Sequence, residues 1–280
     1  VLEQQNHEKG KCKSVLYFAL DHEPGEIELR VLWRLIVDQV KFCRDPKFNG
    51  IALRYAGWRK GLYRDLLRNY EDDARIYLKH LFALSETKFM YQRGGMNAKD
   101  IAGCISGNAT SFNLYVVDHF HAISGLNRQE DQSEAITLIT HAAELSERPV
   151  LVLGQFRKNS AVNNKCPLPA MEDFSGSSQL IYQPHNIVVM GPKASESANR
   201  YETYFHVVKS RCASDAKPFV GIHSFDIELK RYSDEYQVAR YLPFGEPELI
   251  PNVHEVPAWA KRAKIFGNIT APRKRSWMEG

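Results

Sequence analysis

Long hydrophobic runs are missing from this chain. No stretch of the 280 residues approaches the roughly 20 consecutive apolar residues that a membrane-crossing helix needs, and no charged-then-apolar leader opens it. A membrane partner is therefore not expected. Cysteine is sparse: five, at positions 12, 43, 104, 166 and 212, odd in number and free of CxxC spacing. That scatter argues against a zinc site and a disulfide framework, and for a reducing compartment. A large excess of one charge is missing too. Lys plus Arg total 37 against 33 Asp plus Glu, so the net charge of +4 permits a polyanionic partner without demanding one. No internal repeat is present. With 44% hydrophobic residues, a chain of 280 can bury a full core as one large domain or two small ones.

What the chain does have is a series of short β-branched and aromatic runs that stop at a polar residue. Asn113 to Val117 ends in Asp118; Ser14 to Leu20 ends in Asp21; Val150 to Gly154 ends in Gln155. Each reads as a strand buried on both faces, the pattern of a parallel sheet. Lys88 to Tyr91 is a further short strand. Helices are expected from Pro24 onward, with Ile27, Val31 and Leu35 on an apolar face, then at about 98–106 and 129–148. Residues 45–87 mix Trp58, Tyr63, Tyr70 and Tyr77 with many Arg and Lys. Such a mixture can stack on bases, but a pair of amphipathic surface helices is the stronger reading. From Asn186 the rhythm changes to consecutive strands at 186–190, 204–209, 219–225 and 227–232. Strand–helix alternation giving way to hairpins predicts a mostly parallel sheet flanked by helices, with a C-terminal antiparallel extension. A proline-containing basic tail or linker is expected over 236–280, after a core over 1–235. Val1 to Gly10 reads as the end of a helix closed by glycine. With no Met at position 1, the chain is expected to be a piece whose start lies upstream.

In open α/β sheets ligands bind beyond the carboxyl ends of the strands. Two acids and an amide at one such edge suit nucleotide hydrolysis. One acid holds the shell of a Mg²⁺ ion, the other orients or deprotonates a water, and the amide senses the γ-phosphate. A strand-end Asp capping the next turn is the plainer alternative for any one of them.

The same residues resemble the RecA-fold (P-loop NTPase type) motor domain of DnaB-like replicative helicases, over roughly residues 1–232. Tyr17 to Asp21, with Arg30 beyond, is similar to the family's strand ending in a catalytic Glu. Leu114 to His121 (LYVVDHFH) resembles its Walker B strand. Arg148 to Arg157 resembles the segment ending in the phosphate-sensing Gln. Ser175 to Ser178 with Asn186 to Val189 resembles the motif that follows, and Val207 to Arg211 the finger that reaches a neighbouring subunit's nucleotide.

The resemblance implies ATP and Mg²⁺ as cofactors, with Asp118 holding the metal through water and His119 and Arg157 beside the nucleotide. It implies Asp21, Gln155, Lys209 and Arg211 as catalytic residues. Arg128, Lys158 and Lys165 are the implied contacts to single-stranded DNA, the last two in a polar loop over 156–174. The partners implied are further copies of the chain in a hexameric ring, and a primase. The implied setting is the cytoplasm, that of a phage-infected host included, or an organelle matrix. Plainer readings stand beside these: Lys209 and Arg211 as solvated charges, and the loop lysines as incidental. His119 and His121 would make a metal pair only with a third ligand, which the sequence does not offer, so shaping the nucleotide edge is their stronger reading.

Two departures matter. The family's Glu is Asp21 here, one methylene shorter, which slows hydrolysis or shifts the task to Glu23. No GxxxxGK[ST] occurs in the chain, so these residues alone are expected to bind ATP poorly. The alternatives are a non-helicase RecA-type ATPase and a non-enzymatic nucleic-acid-binding or assembly module without the phosphate loop.

Overall fold

The computed structural model describes residues 14–85, 87–92, 95–155, 178–193, 200–211, 219–226, 231–242 and 247–250. The chain divides into two units, the first holding residues 1–157, 174–184 and 228–230, the second 158–173, 185–227 and 231–280.

In the first unit, β1 (Val15–Ala19), β2 (Lys88–Tyr91), β3 (Leu114–Asp118) and β4 (Val150–Val152) form a sheet of order β2-β1-β3-β4. Every neighbouring pair is parallel, with Ala19 aligned to Asp118 and Val117 to Val152. The central strands β1 and β3 are largely buried and run apolar almost without break. By contrast β4, expected as a buried strand up to Gln155, ends at Val152 and leaves Leu151 exposed because it lies at the edge of the sheet.

Alternation sends Leu16, Phe18 and Leu20 to one face, where they join Tyr115 and Val117. That face is covered by α4 (Ala98–Gly107) and α5 (Gln129–Ser146), through Ile101, Ile105, Ala135, Ile136 and Ile139. On the opposite face Tyr17 meets Phe89 and Phe89 meets Phe82, each with ring centroids 5.7 Å apart. The Tyr91 phenol bonds the Glu28 carboxylate and accepts from the Ile27 N–H of α1 (Glu26–Cys43). Pro24 precedes this helix rather than opening it, because Gly25 takes the cap position at φ 81°, a left-handed turn that favours glycine.

The region over 45–87 is a 3₁₀ turn (Pro46–Phe48) followed by α2 (Tyr55–Arg59) and α3 (Arg64–Ser85). The amphipathic reading holds there, and the pair is more than a surface feature. Trp33, Ile36 and Val40 of α1 close a second core with Trp58, Leu67, Ala74 and Leu78. Trp33 is wholly buried and stacks on Trp58 at 5.6 Å. The Trp58 indole donates to Glu71 at 3.0 Å, and Arg75 bonds the same carboxylate. Burial would raise the Glu71 pKa, but these two donors and the Arg75 charge outweigh it and hold the carboxyl below its ordinary range.

α5 ends at Ser146, short of the expected 148, with Glu147 in the left-handed region at φ 52°. Pro149 is the reason, since it disfavours helical geometry in the residue before it. After the short α6 (Gln179–Tyr182), the second unit is a five-stranded antiparallel sheet of order β5-β6-β7-β8-β9. Its strands are β5 (Asn186–Lys193), β6 (Arg200–Ser210), β7 (Phe219–Asp226), β8 (Arg231–Arg240) and β9 (Glu248–Leu249). Ile187, Val189, Tyr204, Val220, Ile222 and Ala239 are buried on one face. The strand expected over 227–232 is instead β8, with 227–230 outside the described residues, and the boundary expected at 235/236 falls inside that strand.

Trp33→Ala should cost about 3–5 kcal/mol in urea unfolding, the range for emptying a buried aromatic site. Glu71→Gln should cost about 1 kcal/mol at pH 7. That deficit should vanish as pH falls through the depressed Glu71 pKa, because the wild-type carboxylate then protonates and loses the same interaction. Denaturant curves taken from pH 7 downward, read by intrinsic tryptophan fluorescence, check both.

Candidate functional site

Parallel pairing puts the carboxyl ends of β1, β3 and β4 on one rim, and backbone hydrogen bonds continue just past the strands. Leu20 N–H donates to the Asp118 carbonyl at 2.8 Å, Leu153 N–H to Val117 at 3.0 Å, and Phe120 N–H to Leu153 at 2.8 Å. Asp21, Asp118 and Gln155 therefore emerge at the same edge, as their positions in sequence suggested. The peptide bond from Asp118 to His119 is cis.

Asp118 is the most tightly held of the three, its side chain only 18% exposed. The Tyr17 phenol donates to its Oδ2 at 2.5 Å, and His22 Nε2 lies 3.1 Å from the same oxygen. A carboxylate only accepts, so Nε2 of His22 carries the hydrogen. Burial, and then the Asp118 hydrogen bond and charge, push the Tyr17 phenol far above its ordinary range, which keeps it a donor. Oδ1 of Asp118 has no partner among the described residues.

Asp21 and Gln155 are exposed. Asp21 Oδ2 stands 3.8 Å from His119 Nδ1, and the rings of His119 and His121 are 6.1 Å apart. The Gln155 N–H donates to His121 Nδ1 at 3.4 Å. The rim thus holds one enclosed carboxylate, one exposed carboxylate, an exposed amide and three imidazoles. Among the described residues no group of three His, Cys, Asp or Glu is arranged to hold a metal outright. Mg²⁺ does not need one: it keeps most of its water and takes one or two carboxylates plus phosphate oxygens. The open Oδ1 of Asp118 fits that demand.

The remaining sequence candidates divide. Arg157, Lys158 and Lys165 lie outside the described residues. Arg128 caps α5, its guanidinium bonded to Asp131 at 3.0 Å, and this hydrogen bond with the Asp131 charge raises its pKa further. Lys209 and Arg211 stand at the end of β6 in the second unit, with the Arg211 N–H donating to the His185 carbonyl at 3.0 Å. Burial, and then the neighbouring Arg211 charge, lower the Lys209 pKa.

Sequence reading missed Tyr17 and His22. The signal for Tyr17 was there: it shares the sheet face of Ala19, and Ala19 is the register partner of Asp118. His22 directly follows Asp21, but only the turn after β1 swings it back to Asp118.

No family model matches this chain, and no curated protein matches it. Solved structures do. One is the structure of a DnaB-like replicative helicase and its interactions with primase, with TM-score 0.54 and 16% identity over 79% of this chain and 50% of that one. Another is an ATPase domain, with TM-score 0.51 and 15% identity over 82% of this chain and 78% of that one. The chain thus spans half the length of the first. At such identities the likeness is one of fold: a RecA-like α/β fold, as the strand-end motifs implied. No described helix is long and apolar enough to cross a membrane.

Tyr17→Phe should cost about 1–2 kcal/mol in urea unfolding near neutral pH, the value of a hydrogen bond to a charged group. The difference should shrink above pH 10, where an unfolded phenol ionises while the folded Tyr17 stays protonated, so wild type loses stability that the variant does not.

Proposed function

We propose that the chain is the motor domain of an ATP-dependent, ring-forming replicative DNA helicase, coupling ATP hydrolysis to translocation on single-stranded DNA. The observation that carries this is the meeting of Asp21, Asp118 and Gln155 at the carboxyl rim of three adjacent parallel strands. It is supported by a fold shared with a DnaB-like replicative helicase and with an ATPase domain.

Asp118 would hold the water shell of a Mg²⁺ ion through Oδ1, and the ion would supply neutralisation of phosphate charge. Asp21, exposed and able to swing, orients the attacking water and takes its proton. Its shorter arm relative to Glu slows this step or passes it to Glu23. Gln155 senses the γ-phosphate, with His119 and Arg157 shaping the nucleotide edge. Lys209 and Arg211 reach the nucleotide of the next copy in a hexameric ring, where a planar guanidinium suits a phosphoryl group. Lys158 and Lys165, with Arg128 once it leaves Asp131, track the single strand through the channel. A primase is a further partner, in cytoplasm or organelle matrix.

Residues 1–280 contain no GxxxxGK[ST], so turnover needs a phosphate loop supplied by sequence outside them, and the test belongs to the intact protein. That same absence favours the second reading, a nucleic-acid-binding or assembly module without hydrolysis. Asp118→Asn should lower ATP turnover at least about a hundredfold and stop strand displacement, with the fold retained. Near-normal turnover in the variant removes the proposed mechanism. ATP turnover without strand displacement in the wild type would instead identify a RecA-type ATPase that is not a helicase, and no turnover at all the second reading.

A further inference from the structure

Resting on that reading of the rim, we infer that Tyr17 and His22 are positioning residues: together they pin Oδ2 of Asp118 and so present Oδ1 toward the metal's water shell. A carboxylate on a single Cβ–Cγ bond can rotate, exchanging its two oxygens and its aim. Here both donors converge on one oxygen, the phenol at 2.5 Å and the imidazole Nε2 at 3.1 Å. They come from opposite ends of one stretch, Tyr17 within β1 and His22 just past it, so the carboxylate is gripped from the strand side and from the loop side. The hydrogen bonds leave Oδ1 without a partner among the described residues on a side chain that is 18% exposed. Tyr17 is itself braced, its ring 5.7 Å from Phe89 on the neighbouring strand.

The grip is divided between a rigid and a movable member. Tyr17 is fixed by the sheet and by its own burial. His22 sits in the turn between β1 and α1, 20% exposed, where a change in the loop carrying Asp21 would also move it. Asp21 and His22 are adjacent, so the residue that orients water and the residue that aims the metal-shell carboxylate shift as a unit.

The test compares Tyr17→Phe, His22→Ala, His22→Gln and Asp118→Asn in the intact protein. Turnover and the affinity for Mn²⁺, read by electron paramagnetic resonance in the presence of ATP, are measured together. Partners that orient a ligating group typically contribute about 10- to 100-fold to metal affinity or activity. Tyr17→Phe and His22→Ala should each weaken Mn²⁺ binding and lower kcat about tenfold, with nucleotide affinity in chelator unchanged. His22→Gln, whose amide can still donate to Oδ2, should stay within about threefold of wild type. Tyr17→Phe keeps the packed ring and His22 is partly exposed, so both variants fold. Wild-type Mn²⁺ affinity in Tyr17→Phe and His22→Ala overturns the clamp while the reading of the rim stands if Asp118→Asn is inactive. So does a loss in His22→Gln equal to that in His22→Ala. An active Asp118→Asn overturns both.

Discussion

The pairing of β1 with β3 is the constraint from which the rest of the first unit follows. Five aligned positions run from Val15 opposite Leu114 to Ala19 opposite Asp118, and the Leu20 N–H then closes on the Asp118 carbonyl. With helices on both faces, the interior of each strand must be apolar, and polar groups are tolerated only where the strands end. The carboxyl rim is consequently a place in this sheet where an acid, an amide and several imidazoles can stand together. The likeness to the two solved structures is a likeness in fold.

The rim's polar groups are not equivalent. Asp118 is enclosed and bonded twice through one oxygen, whereas Asp21 and Gln155 are exposed, touching the rest of the rim through a 3.8 Å ion pair and a backbone N–H. A carboxylate with low freedom contributes little reorganisation when charge arrives beside it, and an exposed one can follow a substrate. Fixed and mobile groups on adjacent strands give the rim both behaviours. The second core, built on the Trp33–Trp58 stack, holds the start of α1 by the hydrogen bond from the Tyr55 phenol to Glu26. That helix in turn anchors Tyr91 of β2, so the aromatic core steadies the far edge of the same sheet.

Much of this was legible from one dimension. The strands leading to Asp21, Asp118 and Gln155, and the helices at α4 and α5, follow from apolar runs and from spacing at three and four residues, because burial on two faces or on one stripe leaves a periodic trace. The helix pair over 45–87 was legible as amphipathic, but its depth was not, since an Arg-rich, aromatic segment has the same composition whether its rings stack on bases or on Trp33. Arg128 shows the same limit. Its charge is visible in sequence, while its engagement by Asp131 depends on where α5 begins.

By itself, the sequence determined the alternation of strands and helices, the change to antiparallel hairpins after Asn186, and which polar residues follow which strands, although β1 ends at Ala19 and β4 at Val152, before Asp21 and Gln155. These are local properties, set by periodicity and by residues that stop a regular element. Only the tertiary structure decided that β1 lies between β2 and β3, that Tyr17 and His22 close on one oxygen of Asp118, and that β8 runs from Arg231 to Arg240. Strand order and register bring together residues about a hundred positions apart, and no pattern within a short window carries that information.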